Sequence, residues 1–345
     1  MHYIGCDVSK AKLDFCLLND QTGVSSDVIT RSNSRNKTVA NTPDGILELI
    51  AWLARQGIND LLSVHIAMEG TGVYHHTAAF ELSNQGFIVS VCNPAQTKNY
   101  GRGMGIRNKT DSIDSFVLAC FCRNAKPRKW LPPAPEAYAL KLLNSRLDIL
   151  TVDLVREKNR AEKLSVIRAP EALMQSIYEA IDFLTFQIEK LQKNIDEHIQ
   201  KHEHLKNDMR LLTSIPSIGK RVGAAMLSVL HCNSFDSAEQ LASFLGLVPV
   251  EKQSGTSLLT KSRMSRQGPP RIRALLYMAS VCAIRKNGNP PAREMYERLL
   301  KKGKPKKAAL GAVMRKLAHY CYGVFHTKTP FDVAHASNAA AKFVK

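Results

Sequence analysis

The spacing of apolar positions changes several times along the chain, and each change marks an element. His2–Val8 and Leu13–Leu18 are short apolar runs of strand length, followed by the turn-prone Asn19-Asp20 and Gly23. A third strand near Asp27–Arg31 would complete a meander. Thr42-Pro43-Asp44 then supplies an N-cap, a proline at the first helical position and an early acid, ahead of Ile46, Leu47, Ile50 and Leu53 at helical spacing. Gly57 ends that helix. Ser63–Met68 reads as a buried strand ending at Glu69, Tyr74–Gln85 as a helix ending at Gly86, and Phe87–Val91 as another strand. Strands and helices in this order predict an α/β domain with a mixed sheet.

A loop rich in glycine and basic residues (Lys98, Gly101, Arg102, Gly103, Gly105, Arg107, Lys109) leads into a helical run, Asp111–Arg123. Four prolines between Lys126 and Pro135 then forbid a helix, because each removes a donor and clashes with the preceding turn. From Glu136 to about Leu212 the period is helical again, with Leu140, Leu143, Leu147, Leu150 and Leu154 on the first helix. Phe183, Phe186, Ile188, Leu191 and Ile195 lie on a second, beyond a break at Ala169-Pro170. Two long antiparallel helices, packed on each other or on a second subunit, fit this pattern. The expected organisation is an α/β domain over 1–134, coiled-coil helices over 135–205 and a mainly helical domain over 206–345. In the last of these, Leu212–Ala225 has the glycine-containing form of a helix-hairpin-helix element, which turns backbone N–H groups toward a phosphate.

Charge changes the picture. The chain of 345 residues has 48 Lys and Arg against 30 Asp and Glu, a net charge of +18 that favours a polyanionic partner, nucleic acid first. The excess is confined: residues 206–345 hold 24 basic and 7 acidic side chains, whereas residues 1–134 hold 14 and 11. No stretch reaches the ~18 uninterrupted apolar residues of a membrane span, and the N-terminus lacks a signal peptide's basic flank and apolar core. A cytoplasmic, nucleoid-associated protein is expected. The 8 cysteines form no CxxC pair, which argues against a zinc ribbon or disulfide framework and for reduced, mostly buried thiols. His75-His76 and His198, His202 and His204 read as surface or capping residues, and no zinc is assigned.

Candidate chemistry lies in four acids. Asp7 and Glu69 end strands, while Asp111 and Asp114 share one face at the start of a helix. Each alone would be an ordinary cap or solvated residue. Together, beside a basic loop, they form an all-oxygen set suited to Mg²⁺ or Mn²⁺ and to phosphoryl displacement. That set leaves nuclease and recombinase equally open.

Three blocks carry a resemblance: Tyr3-Ile4-Gly5-Cys6-Asp7-Val8-Ser9-Lys10, Met68-Glu69-Gly70-Thr71-Gly72-Val73-Tyr74 and Arg107-Asn108-Lys109-Thr110-Asp111-Ser112-Ile113-Asp114. They resemble the DEDD transposases, RuvC-like recombinases of bacterial insertion sequences related to the pilin-gene invertases. The likeness extends through Ser214–Gly219, Phe244–Pro249, Ser254–Ser257, Ser262–Ser265 and Met314–Ala318, nearly the whole chain. It departs from the family at Leu258-Leu259, where a more polar, glycine-containing stretch is usual, and at Ser115, where alanine is usual. The resemblance implies an RNase H-like (RuvC-like) N-terminal domain, a coiled coil and a C-terminal transposase domain with a catalytic serine, Ser254 by motif position. It also implies a structured bridge RNA that pairs with donor and target double-stranded DNA. Dimers would assemble into tetramers, the serine of one subunit completing the metal site of another. Arg102, Arg107, Lys109, Lys220, Arg221, Arg263, Arg266, Arg271 and Arg273, with the cluster Lys301, Lys302, Lys304, Lys306 and Lys307, are expected to contact nucleic acid. A protein-only invertase, a hydrolytic junction nuclease and an inactive binder are the competing readings.

Overall fold

The computed structural model describes residues 1–18, 34–70, 72–106, 108, 110–250, 253–254, 258–259 and 263–334. The chain divides into two compact units, Met1–Pro132 and Pro133–Lys345.

The first unit is built on a five-stranded sheet of β1 (His2–Val8), β2 (Lys12–Leu18), β3 (Ser34–Ala40), β4 (Val64–Glu69) and β5 (Ile88–Cys92), in the order β3-β2-β1-β4-β5. β1, β2 and β3 run antiparallel, whereas β4 and β5 lie parallel to β1, so the sheet is mixed as the pattern implies. The strand that completes the meander is Ser34–Ala40; Asp27–Arg31 lies outside the described residues. Only Val39 of β3 is buried, which is why no apolar run marks this edge strand.

Strand side chains alternate between faces, and the two faces of this sheet are used differently. Ile4, Cys6, Leu13, Phe15 and Ile66 form one core with Ile46, Leu49 and Leu53 of α1 (Pro43–Arg55) and Ala79 and Leu82 of α2 (Tyr74–Asn84). Thr42 caps α1 as its sequence indicates, its hydroxyl accepting the Gly45 N–H at 3.2 Å. The opposite face, with Tyr3, Gly5, Cys16 and Ala67, receives α4 (Asp111–Ala125) through Phe116, Ala119, Cys120 and Cys122. The stretch read as a glycine-rich loop is in its first half a helix, α3 (Pro94–Gly103). Asn93 caps it by accepting the Ala95 N–H at 2.9 Å, and Gly101 lets it pack on Val117 of α4.

The second unit is mainly helical. α5 (Pro135–Val166) and α6 (Glu171–Lys201) form a hairpin, since Leu140 and Leu147 near the start of one share a core with Ile195 and Ile199 near the end of the other. That same core continues into α7 (Glu203–Thr213), α8 (Lys220–Cys232), α9 (Ala238–Phe244), α10 (Pro270–Ala283), α11 (Pro290–Lys301) and α12 (Lys306–Thr327). Between α9 and α10, β6 (Pro249–Val250) pairs antiparallel with β9 (Arg263–Met264), and β7 (Gln253–Ser254) with β8 (Leu258–Leu259).

The histidines read as surface or capping residues differ: His204 is exposed, and His76, His198 and His202 are half-buried. His75 is buried. His198 and His204 both meet Glu136, at 2.9 Å to its carbonyl and 3.1 Å to its carboxylate. Nearby, the buried Asp208 accepts from His231 at 2.9 Å and from Lys328 at 2.6 Å, tying α7, α8 and the end of α12 together. All eight cysteines are free; six are buried, Cys232 is half-buried and Cys282 is exposed. Burial pushes the Cys92 and Cys120 thiols up to about 12, so neither is a thiolate at neutral pH.

Candidate active site

The acids converge through backbone placement. Asp7 stands two residues beyond Gly5 on β1 and therefore on the same face, the one α4 covers. The parallel register pairs Cys6 with Met68, and one further step along both strands sets Asp7 beside Glu69, with adjacent strands ~4.8 Å apart. On its other side Asp7 pairs directly with Asp14 of β2. Three carboxylates thus occupy neighbouring strands on a single face.

The helix delivers two more. Thr110 caps α4, accepting the Ile113 N–H at 3.3 Å, and puts Asp111 and Asp114 in the first turn. There the N-terminal end of the helix dipole favours negative charge. What holds this turn against the sheet is Gly5: a Cβ at that position would lie 1.9 Å from the Ser115 carbonyl oxygen and 2.3 Å from the Ala119 nitrogen. Only a residue without a side chain lets the helix backbone come so near the strand.

The electrostatics register the crowding. Burial, then Asp114 and Asp111, push the Asp7 carboxyl up to about 6, a smaller push comes from Asp14, and the Val8 N–H opposes them. A like-charge cluster of this kind binds a hard cation readily or keeps a proton. In the structure Lys12 partly fills that need. Its ammonium lies 2.7 Å from Asp111 Oδ2 and 3.0 Å from Asp14 Oδ2, and these two carboxylates raise its own pKa. Thr38 donates to the other oxygen of Asp14 at 2.5 Å.

The side chains are not closed around one point: among the described residues no three His, Cys, Asp or Glu groups stand as a ready ligand set. The donor chemistry nevertheless fits Mg²⁺ or Mn²⁺, being all carboxylate oxygen on rigid strand ends and a helix start. Replacing Lys12 with alanine removes the cation that competes for Asp111. The expected result is a roughly fivefold gain in Mn²⁺ affinity at low salt, from the loss of one like charge a few ångströms away. Calorimetric titration of the metal-free protein checks it, and unchanged or weaker binding would show that Lys12 positions Asp111 rather than competing for it.

Asp14 and Lys12 escape a reading by sequence because their role comes from cross-strand register. A strand that starts Lys-Leu-Asp looks like a solvated turn; only its pairing with Asp7 makes those charges part of the site.

Ser254 lies on β7, its backbone paired with Leu258, so the unusual Leu258-Leu259 stretch forms a short hairpin with it. Of the basic candidates, Arg102 is exposed in the last turn of α3, while Arg107 and Lys109 lie outside the described residues. Lys220 faces Asp196 at 3.4 Å. Arg221 and Arg271 are engaged by Asp148 of α5, through its carboxylate at 2.7 Å and its carbonyl at 3.4 Å respectively. Arg273 donates to the Gly268 and Leu245 carbonyls at 2.8 and 3.2 Å. Arg263 and Arg266 are exposed, as are Lys301, Lys302, Lys304, Lys306 and Lys307 where α11 turns into α12.

Both units carry family signatures. The DEDD transposase profile of the IS110 type matches residues 4–165, which include all four acids, and the profile described as transposase IS116/IS110/IS902 family matches residues 209–297. The chain belongs to the IS110-type DEDD transposases, a family that includes the pilin gene-inverting proteins. Over 332 residues it is 31% identical to the pilin gene-inverting protein of Moraxella lacunata, spanning 96% of this chain and 97% of that one. The Moraxella bovis counterpart is 30% identical over the same length. An uncharacterized 43.6 kDa protein of insertion element IS110 from Streptomyces coelicolor is 29% identical over 123 residues, 35% of this chain and 30% of the relative.

Proposed function

We propose that this chain is a Mg²⁺- or Mn²⁺-dependent DNA recombinase that cuts and rejoins strands of double-stranded DNA through a serine-linked intermediate. The observation that carries the reading is Asp7 on β1 with Asp111 and Asp114 of α4 near enough to raise its pKa, and Glu69 at the end of the neighbouring parallel strand. The strand order, with three antiparallel strands followed by two parallel ones and a helix laid across the central strand, supports an RNase H-like domain. When bound, a divalent ion there would polarise the scissile phosphate and neutralise charge that develops on its oxygens.

Ser254 supplies the nucleophile. Attack of its Oγ on phosphorus forms a serine–phosphate ester as the P–O bond to one deoxyribose breaks and the serine's proton passes to the departing oxygen; the hydroxyl so freed can reverse the step, or the hydroxyl of a partner strand can displace the serine and join the new strand. The bond energy is conserved, which separates a recombinase from a hydrolytic nuclease. α7, α8 and their connection, Ser214–Gly219, serve as a helix-hairpin-helix that holds a phosphate at the start of α8. Exposed apolar side chains on the long hairpin, among them Leu142, Ile149, Phe183 and Phe186, support pairing of copies into dimers and from these into tetramers. Among the described residues no helix is long and apolar enough to cross a membrane.

The strongly basic last third supports binding of a second polyanion, a bridge RNA that selects donor and target. Near full-length similarity to the pilin gene-inverting proteins favours a second reading, a site-specific invertase that acts without RNA. Sequencing of nucleic acid co-purified with the protein separates the two: a discrete structured RNA supports the first, its absence the second.

The chemistry is tested by trapping. Denaturing gels of protein incubated with substrate DNA and Mg²⁺ should show a covalent adduct that disappears with EDTA and with Ser254→Ala. A wild-type yield of adduct from Ser254→Ala would remove the serine from the mechanism.

A further inference from the structure

One cavity of the second unit belongs neither to the carboxylate site nor to the serine hairpin itself. It is a groove of 620 Å³ between the β6–β9 pair and the first half of α12. Arg263, Arg266, Lys307 and Arg315 surround it, and no acidic side chain lines it among the described residues; Glu239 is within electrostatic reach of Arg315 but does not face the groove. Its floor is apolar, with Leu247, Pro249 and Met264 on one side and the small residues Ala308, Gly311 and Ala312 of α12 on the other.

The groove is built into the backbone. Arg266 adopts a left-handed conformation, φ 58, which non-glycine residues hold only when their surroundings impose it. Its N–H donates to the Gly246 carbonyl at 3.2 Å, and the Ser265 N–H to the Val248 carbonyl at 2.9 Å. Side chains on Gly246 and Gly268 would collide with the facing backbone, at 2.7 Å from the Gln267 oxygen and 2.1 Å from the Phe244 oxygen. On the other wall, Gly311 is a glycine inside a 22-residue helix, an unfavourable choice unless space is needed. Among the described residues a Cβ there would meet only the Met264 methyl, at 2.9 Å, so the missing side chain widens the groove.

A duplex presents phosphates to such a surface and leaves an apolar floor unfilled. A nucleotide out of its stack supplies both parts, a base to lie on Met264 and the alanines between guanidinium planes and a phosphate for the cations. We propose that this groove binds a single unpaired nucleotide of the DNA or RNA held by the protein. The inference rests on the nucleic-acid reading of the chain and is independent of the chemistry at the carboxylates.

The test uses the full-length protein in EDTA and fluorescence anisotropy with four probes: a blunt DNA duplex, the same duplex with a one-nucleotide bulge, the bulge made abasic, and an RNA duplex with the same bulge. Wild type should prefer the bulged duplex over the blunt and abasic probes by about fivefold or more, the range expected for stacking one base. Gly311→Leu, which fills the floor, should abolish the preference while changing blunt-duplex affinity less than about twofold, the charges being untouched. Arg315→Gln, on the wall of the groove, should abolish it as well, and keeps the test meaningful should the leucine unfold α12. The larger preference, for the DNA or the RNA bulge, identifies the source of the nucleotide. A wild type that binds duplex without preference, or a preference that survives both variants, overturns the groove assignment alone. A wild type that binds none of the probes overturns the recombinase reading with it.

Discussion

Replacing Asp7 with asparagine is expected to lower DNA strand cleavage by about three orders of magnitude while leaving the protein folded and able to bind DNA. Asp7 pairs with Asp14 and lies next in register to Glu69, on the strand that α4 crosses with Asp111 and Asp114 in its first turn. An amide of the same shape keeps the packing but removes the anionic donor at the centre of the set. Single-turnover cleavage in Mg²⁺ measures the loss, and a decrease of less than about tenfold would remove Asp7 from the site.

The same substitution should raise the stability of the metal-free protein. The Asp7 carboxyl is pushed up to about 6 in the folded chain, against ~3.9 when unfolded, so between those values the folded state binds more protons. Wild-type stability therefore falls as pH rises from about 4 to about 6 and stays lower above it. Screening of this half-exposed group limits the effect to on the order of 1 kcal/mol. In EDTA at pH 7.5, Asp7→Asn should melt above wild type, with the difference closing below about pH 4. Added Mg²⁺ should reverse the order by stabilising wild type alone. A wild type that melts higher in EDTA at neutral pH would contradict the crowding of carboxylates around Asp7.

Gly5→Val should have the largest effect on folding. Its Cβ would fall within 2.3 Å of two backbone atoms of α4, and backbone inside a helix cannot move aside as a side-chain tip can. The helix must then lift from the sheet, exposing Phe116, Ala119, Cys120 and Cys122 and withdrawing Asp111 and Asp114 from Asp7. The cost, on the order of 5 kcal/mol, rivals the whole stability of a small domain. Thermal unfolding followed by circular dichroism, with limited proteolysis of residues 1–132, reads the outcome. Gly5→Ala carries the same Cβ and should fail in the same way; a wild-type melt for either would mean that α4 does not lie on β1 at this point.

Much of the candidate site is legible in the sequence, for identifiable reasons. Asp7 and Glu69 follow apolar strands, and Asp111 and Asp114 stand three apart at the start of a helical run, so local chemistry marks all four. Asp14 and Lys12 are recognisable only through the β1–β2 register, a non-local fact. β3 has a single buried residue, so its place in the sheet leaves no trace in hydrophobic periodicity. Gly101 and Gly103 give α3 the look of a loop, although Asn93-Pro94 carries the cap and first-turn proline that start it. Arg315 lies in a block of family likeness, yet the groove that gives it meaning forms only when α12 meets β9.

The outer strand of the sheet has a consequence for how copies of this protein tolerate crowding. Edge strands present open hydrogen-bonding groups that can zip onto another molecule's edge. On β3 the run Arg35-Asn36-Lys37-Thr38 puts two cations on that border, Lys37 held by an ion pair with Glu48 of α1. Two such borders brought together would set their Arg35 cations against each other, and among the described residues β3 offers no exposed apolar strip to compensate. Basic side chains on this border therefore disfavour edge-to-edge pairing of two copies.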